Sequence, residues 1–325
     1  MNRRAFVALA GAAAMWPRAV GAQQPRRKLP TIGFLGSSTA AGWAPWVVAF
    51  QQRMRELGYV EGRNVAIEYR WAEGRNDRGA EIAADFARRK VDVIVTTGSS
   101  ALAVKEAIAT VPVVFALWAD PVGSGYIAGL ARPGGNATGL SIQTLDTAAK
   151  RLELLREVVP RLRRLAILAR LDNPSNVVEA GEVEAAARPL GLEVSTSNIR
   201  RAEDIVPAFE ALKDRADALH VVSDPLLLAN GLRINTLALG ARLPTMYSFR
   251  EGMDTGGLMS YGADMTSLWR RAAELTDRIL RGTKAGDIPV EQPTKFDLIV
   301  NLITAKALGL DIPATLLARA DQVIE

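Results

Sequence analysis

The chain is 325 residues long and 49% hydrophobic, too large for one ordinary core and suited to two lobes. It has no cysteine and one histidine, which excludes disulfides, thiolate or histidine-rich metal sites, a cysteine nucleophile and lipid attachment through an N-terminal cysteine. The formal charge of +5 includes Arg3, Arg4 and Arg18 of a segment expected to be removed, and 5 − 3 leaves +2, a balance that gives no support to nucleic-acid binding.

Arg3 and Arg4, the apolar run Phe6 to Met15 and the small residues Val20, Gly21 and Ala22 have the layout of an export signal. Cleavage is expected after Ala22, making 1–22 a signal peptide and 23–29 a flexible leader. The apolar run is about ten residues, against the roughly 20 that span a bilayer, so stable membrane insertion is not expected. The paired arginines also fit the twin-arginine route.

From Pro30 strands and helices alternate, which predicts α/β architecture with parallel sheets. Thr31 to Gly36 (TIGFLG) reads as the first strand. Ser37 to Gly42 is a small-residue loop, with Ser37 and Ser38 at its start, of the kind that lets a ligand approach the backbone. Val47, Phe50, Met54 and Leu57 give Trp46 to Leu57 a helical stripe, with Trp43 in the loop before it. Val65 to Trp71 and Arg78 to Lys90 are the next strand and helix.

Val91 to Val95 then reads as a buried strand, Thr97 to Ser100 as a polar turn, Ala101 to Ile108 as a helix and Val111 to Leu117 as another strand. A right-handed crossover leaves the Thr97 turn and the Asp120-Pro121 turn at the same carboxyl edge of the sheet, where ligands bind in such folds. The Gly-rich run Arg132 to Thr138 ends this half. A second set follows: helix Asp146 to Val159, strand Arg164 to Arg170, helix Val177 to Leu190, strand Glu193 to Ser197, helix Ile205 to Lys213, and strands Ala218 to Ser223 and Leu243 to Tyr247. Asp224-Pro225 repeats the Asp-Pro turn, so two similar lobes would face one another across a ligand cleft.

Each candidate binding residue has two readings. The Ser99 and Ser100 hydroxyls, with the free N–H groups of a helix start, suit a carboxylate that would also meet Thr97, or they are ordinary caps. Asp120 and Asp224 could hold a solute ammonium, or simply begin turns before proline. Asn173 and Asn176 could donate to a carboxylate or shape their loop. Trp43, Trp46, Trp118, Tyr247 and Tyr261 could wall the cleft or lie in the core; Trp46 is read as core, and Trp71 as structural. His220, inside an apolar run, is read as buried and hydrogen-bonded rather than as a catalytic base.

The blocks LGYVEGRNVAIEYRWAEG (Leu57 to Gly74), VPVVFALWADPVGSG (Val111 to Gly125), LARPGGNATG (Leu130 to Gly139), GGLMSYG (Gly256 to Gly262) and IPVEQPTKFDLIVNLITAKALGL (Ile288 to Leu310) resemble, in that order, the exported solute-binding proteins of ABC transporters related to the tryptophan-binding type. The resemblance implies a type I periplasmic binding protein fold with two Rossmann-like lobes, 30–139 plus 262–285 and 140–261 plus 286–325. It also implies a small amino-acid-like or carboxylate solute clasped between them, a periplasmic location, a monomer, and delivery to an ABC permease with a cytoplasmic ATPase. GSSAL at Gly98 to Leu102 departs from the family's common GTPAA-like turn. An enzyme on a similar sheet is the rival class, but there is no G-x-S-x-G elbow, P-loop or G-x-G-x-x-G after the first strand, and nothing calls for a cofactor. A sugar-sensing regulator would need a helix-turn-helix where the export signal stands. A receptor serving a membrane sensor is an open alternative.

Overall fold

The computed structural model describes residues 29–37, 39–97, 100–101, 110–118, 120–142 and 144–325. The expected export signal, nearly all of the leader, Ser38, Ser99 and most of the helix expected over Ala101 to Ile108 lie outside the described residues.

Strands β1 (Thr31–Gly36), β2 (Ala66–Trp71), β3 (Val93–Thr97), β4 (Val113–Trp118) and β5 (Ala137–Ser141) form a parallel sheet in the order β2-β1-β3-β4-β5. Its central strands bury both faces, which is why they read as apolar runs and not as alternating patterns. Ile32, Phe34, Val93, Val95 and Val114 point into one core layer, and Leu35, Ile94, Val113 and Phe115 into the layer on the other side. The period of two decides which. Helix α1 (Ala40–Glu56) covers the first layer with Phe50 and Met54, and α2 (Asn76–Arg89) covers the second with Ala83 and Phe86.

The second sheet has the order β12-β11-β10-β9-β8-β6-β7. It comprises β6 (Arg164–Ala169), β7 (Glu193–Asn198), β8 (Ala218–Val221), β9 (Thr245–Tyr247), β10 (Met259–Ala263), β11 (Phe296–Asn301) and β12 (Gln322–Ile324). β10 and β11 run antiparallel, and the other neighbours are parallel. The same division recurs: Leu165 and Ile167 face one layer, Ala166 and Leu168 the other. Helices α3 (Thr144–Val158), α4 (Pro174–Ala187), α5 (Ile205–Leu212), α6 (Pro225–Ala229) and α7 (Gly231–Gly240) belong with this sheet.

After β10 the chain returns to the first sheet. Helix α8 (Met265–Leu280), capped by Asp264 on Thr266 N–H, packs on α1, β3, β4 and β5 and buries Trp269 against Phe34, ring centroids 5.4 Å apart. The chain then runs along β5 before entering β11. Ser141 N–H donates to the Glu291 carbonyl at 2.9 Å, Glu291 N–H to Gly139 at 3.0 Å, and the Thr138 hydroxyl to the Ile288 carbonyl at 2.9 Å.

Two expectations change. Helix α1 begins at Ala40, with the Thr39 hydroxyl accepting from Gly42 N–H, so Trp43 lies within the helix and not in a loop. Pro45 stands six residues into α1, where it removes one hydrogen bond between consecutive turns at a local cost to the helix. The sequence pattern gives no strand after the Gly-rich run Arg132 to Thr138, yet its last two residues open β5. Among the described residues no helix is long and apolar enough to cross a membrane.

Candidate functional site

The carboxyl ends of the two sheets face each other across a cavity of about 320 Å³, within the range of small-ligand sites. From the first sheet come Ser37 after β1, Thr97 at the end of β3, Ser100 just beyond it and Trp118 at the end of β4, with Trp43 and Trp46 of α1 beside them. The second sheet contributes Arg170 after β6, Asn173, Asn176 and Glu179 around the start of α4, and Ser223 and Asp224 after β8. Carboxyl edges of parallel strands carry these residues because the chain turns there into the next helix, leaving loop side chains and helix starts aimed outward.

The first side is largely aromatic. Trp43 lies edge-on to Trp46 at 5.5 Å and to Trp269 at 5.1 Å, so one ring system continues from core to cavity. Trp118 is supported from behind by Phe115 and Tyr126 at 4.9 and 4.6 Å. The register of β4 against β5 shifts between Phe115 and Trp118, and Leu117 in that interval has φ of +63°. Such irregularities re-aim side chains and concentrate at binding sites. Polar groups on this side are Ser37, Thr97 and Ser100, and the Thr97 Oγ1 is buried and meets no hydrogen-bond partner among the described residues.

The second side is built on a carboxylate. Asp224 is fully buried and caps α6, one oxygen accepting from Leu226 N–H at 2.7 Å. Its other oxygen accepts from the side-chain amides of Asn173 at 3.2 Å and Asn176 at 2.9 Å. Asn173 in turn caps α4, accepting from Ser175 N–H at 3.1 Å. Asp224 thus begins the turn before Pro225, and its side chain also ties Asn173 and Asn176 to the cleft wall.

Beneath that wall lies a buried charge group. Glu179 accepts from the Ser248 hydroxyl and from Ser223 N–H, and His220 Nε2 stands 3.5 Å from it. Burial alone would raise the Glu179 carboxyl, but His220, Arg151 and Ser248 together hold it below the usual range. Burial pushes His220 down, against the pull of Glu179 and with the help of Arg151. Arg151 is itself lowered by burial, opposed by Glu179 and Glu182, and donates to the Tyr261 carbonyl and the Thr147 hydroxyl. His220 is buried as expected, yet neither ring nitrogen makes a hydrogen bond among the described residues, Nε2 standing 3.5 Å from Glu179.

The cleft brings together Ser37, Trp43, Thr97, Ser100, Asn173, Asn176 and Asp224. Asp120 and Tyr247 stand apart. Asp120 turns onto its own loop, accepting from Gly123 N–H at 2.6 Å. Tyr247 is buried, packs against Gly252 and Gly257, and donates to Asn235 Oδ1 at 2.8 Å. Tyr261 stacks on Phe296 instead. Trp46, read as core, borders the cavity, and its Nε1 donates to Glu251 Oε1 at 3.1 Å. Arg170, Ser223 and Glu179 escape the sequence reading. The first two follow strand ends and obey the same edge rule, and Glu179 lies three residues beyond Asn176, on the same helix face.

Comparisons with known proteins bear on the family and the fold. The tyrosine-binding protein of Clostridioides difficile (strain R20291) is 27% identical over 263 residues, 80% of this chain and 75% of the relative. A conserved domain protein of Vibrio cholerae superposes with a TM-score of 0.86 at 24% identity, covering 91% of this chain and 100% of that one. An ABC domain from Streptococcus pneumonia in complex with L-Trp gives 0.85 at 24% identity, with the same coverage. At that identity the likeness shows the fold, the two-sheet α/β architecture of type I periplasmic binding proteins. The family model for ABC transporter substrate binding proteins matches residues 45–324, and the chain belongs to that family.

Proposed function

We propose that this protein is the exported solute-capturing component of an ABC importer, and that its cleft holds a small amino acid with an aromatic side chain. The observation that carries the reading is the pairing, in one cavity, of a tryptophan wall with polar groups suited to opposite charges. Thr97 and Ser100 offer hydroxyls to a carboxylate, while the Asp224-backed wall suits an ammonium. Trp43, Trp46 and Trp118 present flat apolar surface on which a ring can stack. The tyrosine-binding relative and the L-Trp complex support the same class.

Lobes of 30–139 plus 262–285 and 140–261 plus 286–325 would close on the solute by bending at their connections and present a closed shape to a permease with a cytoplasmic ATPase. The layout of residues 1–22 supports export. Thermal-shift screening of the purified protein against the common amino acids tests the solute class. A ligand at a hundredfold excess over Kd stabilises by about 2.7 kcal/mol, and the aromatic amino acids are expected to give the largest shifts. No shift with any of them at millimolar concentration, beside a clear shift with a sugar or polyol, would replace the amino-acid reading.

A further inference from the structure

We infer that Asn176, held acceptor-outward by Asp224, is the residue that recognises the ammonium of the solute, and that Asp224 is a positioning residue that does not touch it. The inference rests on the amino-acid reading of the cleft. It follows from donor and acceptor accounting at one buried carboxylate.

An ionised carboxylate only accepts hydrogen bonds. The amide nitrogens of Asn173 and Asn176 converge on the same Asp224 oxygen, at 3.2 and 2.9 Å. Turning either amide over would set its carbonyl oxygen against a carboxylate oxygen, two acceptors with no proton between them. Both orientations are thereby fixed. The oxygen of Asn173 is already used on Ser175 N–H, at 3.1 Å. That of Asn176 receives no donor from the described residues, although the side chain is 1% exposed and lines the cavity.

An amide oxygen on the cavity wall with no donor among the described residues is open to water in the free protein, and a solute N–H group is what would take that water's place. Charge points the same way. Asp224 is 0% exposed and, among the described residues, accepts hydrogen bonds from neutral donors, with no Lys or Arg paired to it. Its negative charge polarises the Asn176 amide and makes the outward oxygen a better partner for a cation. Glu179 lies on the same wall, three residues along α4, though Arg151 opposes it from below. Asp224 borders the cavity but, held by the two amides, presents no accessible surface to it, so the ammonium meets the amide oxygen and the carboxylate acts through it.

The test is calorimetric titration of the full chain with L-tyrosine, L-tryptophan and L-phenylalanine, each beside its desamino analogue, the corresponding 3-arylpropanoate. The wild type should prefer the amino acid by roughly 100-fold, as a hydrogen bond to a charged group implies. Asn176→Ala should reduce that preference to within about tenfold while leaving the affinity for the propanoate within about threefold. Asp224→Asn should reduce it similarly, because an Asn at 224 no longer dictates which way the neighbouring amides turn. If Asn176→Ala misfolds by circular dichroism, the near-isosteric Asn176→Leu replaces it with the same expectation. Wild-type preference retained in the folded Asn176 variant, with loss only in Asp224→Asn, would mean that Asp224 itself meets the ammonium and would overturn the inference. Failure of the wild type to bind any of the three amino acids would instead overturn the amino-acid reading, and the inference with it.

Discussion

Thr97 carries a buried hydroxyl that the described residues leave unpaired, at a cost in stability. Its Oγ1 is buried without a partner among the described residues, while the neighbouring Thr96 hydroxyl donates to the Leu35 carbonyl at 2.9 Å. Two adjacent threonines of one strand thus point to opposite faces, one satisfied by the fold and one, on the cavity side, given to the solute by the proposed function. Thr97→Val keeps the shape and removes the hydroxyl. Without solute its urea midpoint should match or exceed the wild type, since an unsatisfied buried hydroxyl is lost. With solute the affinity should fall by about 0.5–1.5 kcal/mol, the net worth of one hydrogen bond. Equal affinity in titration would remove Thr97 from the site. At this scale the sequence was legible where a residue type coincided with a strand end, as for Thr97, Asn173, Asn176 and Asp224. It was not legible for Asp120, because Asp120-Pro121 and Asp224-Pro225 are the same local signal. Only the tertiary neighbours, Gly123 N–H in one case and two asparagine amides in the other, separate their fates.

At the scale of elements, strands buried on both faces announced themselves, since Val, Ile, Leu and Phe runs have no other use in a short segment. β5 did not, and the reason is physical. Its sequence is ATGLS, where Gly139 is needed for closeness: a Cβ there would collide with the Phe115 carbonyl oxygen and ring of β4. A strand made of small residues looks like a continuation of the Gly-rich run before it. Gly139→Ala should therefore cost on the order of 1–3 kcal/mol through overpacking, seen as a lowered urea midpoint. Because β5 also carries the backbone bonds to Glu291, the variant should lose solute affinity as well. An unchanged midpoint would show that β4 and β5 can separate without cost. The α1 boundary failed for a different reason: a cap at Thr39 and a proline at Pro45 compete as start signals, and the cap wins.

For the whole molecule, the crossing of the chain between sheets was expected from the family resemblance alone; no local pattern announces that α8 leaves β10 to pack on α1. The two sheets meet at the mouth of the cleft through Trp46, whose Nε1 donates to Glu251 Oε1 at 3.1 Å. Glu251 lies in the turn Arg250–Thr255, which packs on β9, β10 and β11, so this bond joins one sheet's helix to the other sheet. The second Glu251 oxygen is buried and has no partner among the described residues, and burial raises the carboxyl above its usual range. The sign follows. In the proposed closure Glu251 passes from solvent to this buried position, which disfavours its charged form, so closure takes up protons: it is easiest when Glu251 is protonated and weakens as pH rises from the usual carboxylate range through the raised value. A pair of cysteines, one introduced on each sheet's outer helices, gives clean fluorescent labelling because the chain has no cysteine of its own. Energy transfer in the solute-free protein should then fall with rising pH across that window. In Glu251→Gln, which keeps the acceptor without the charge, transfer should be high and flat with pH. In Trp46→Phe, which keeps a ring but removes the donor, it should be low throughout and recover on adding saturating solute. Identical transfer in all three proteins at every pH would show that the Trp46–Glu251 bond does not govern closure.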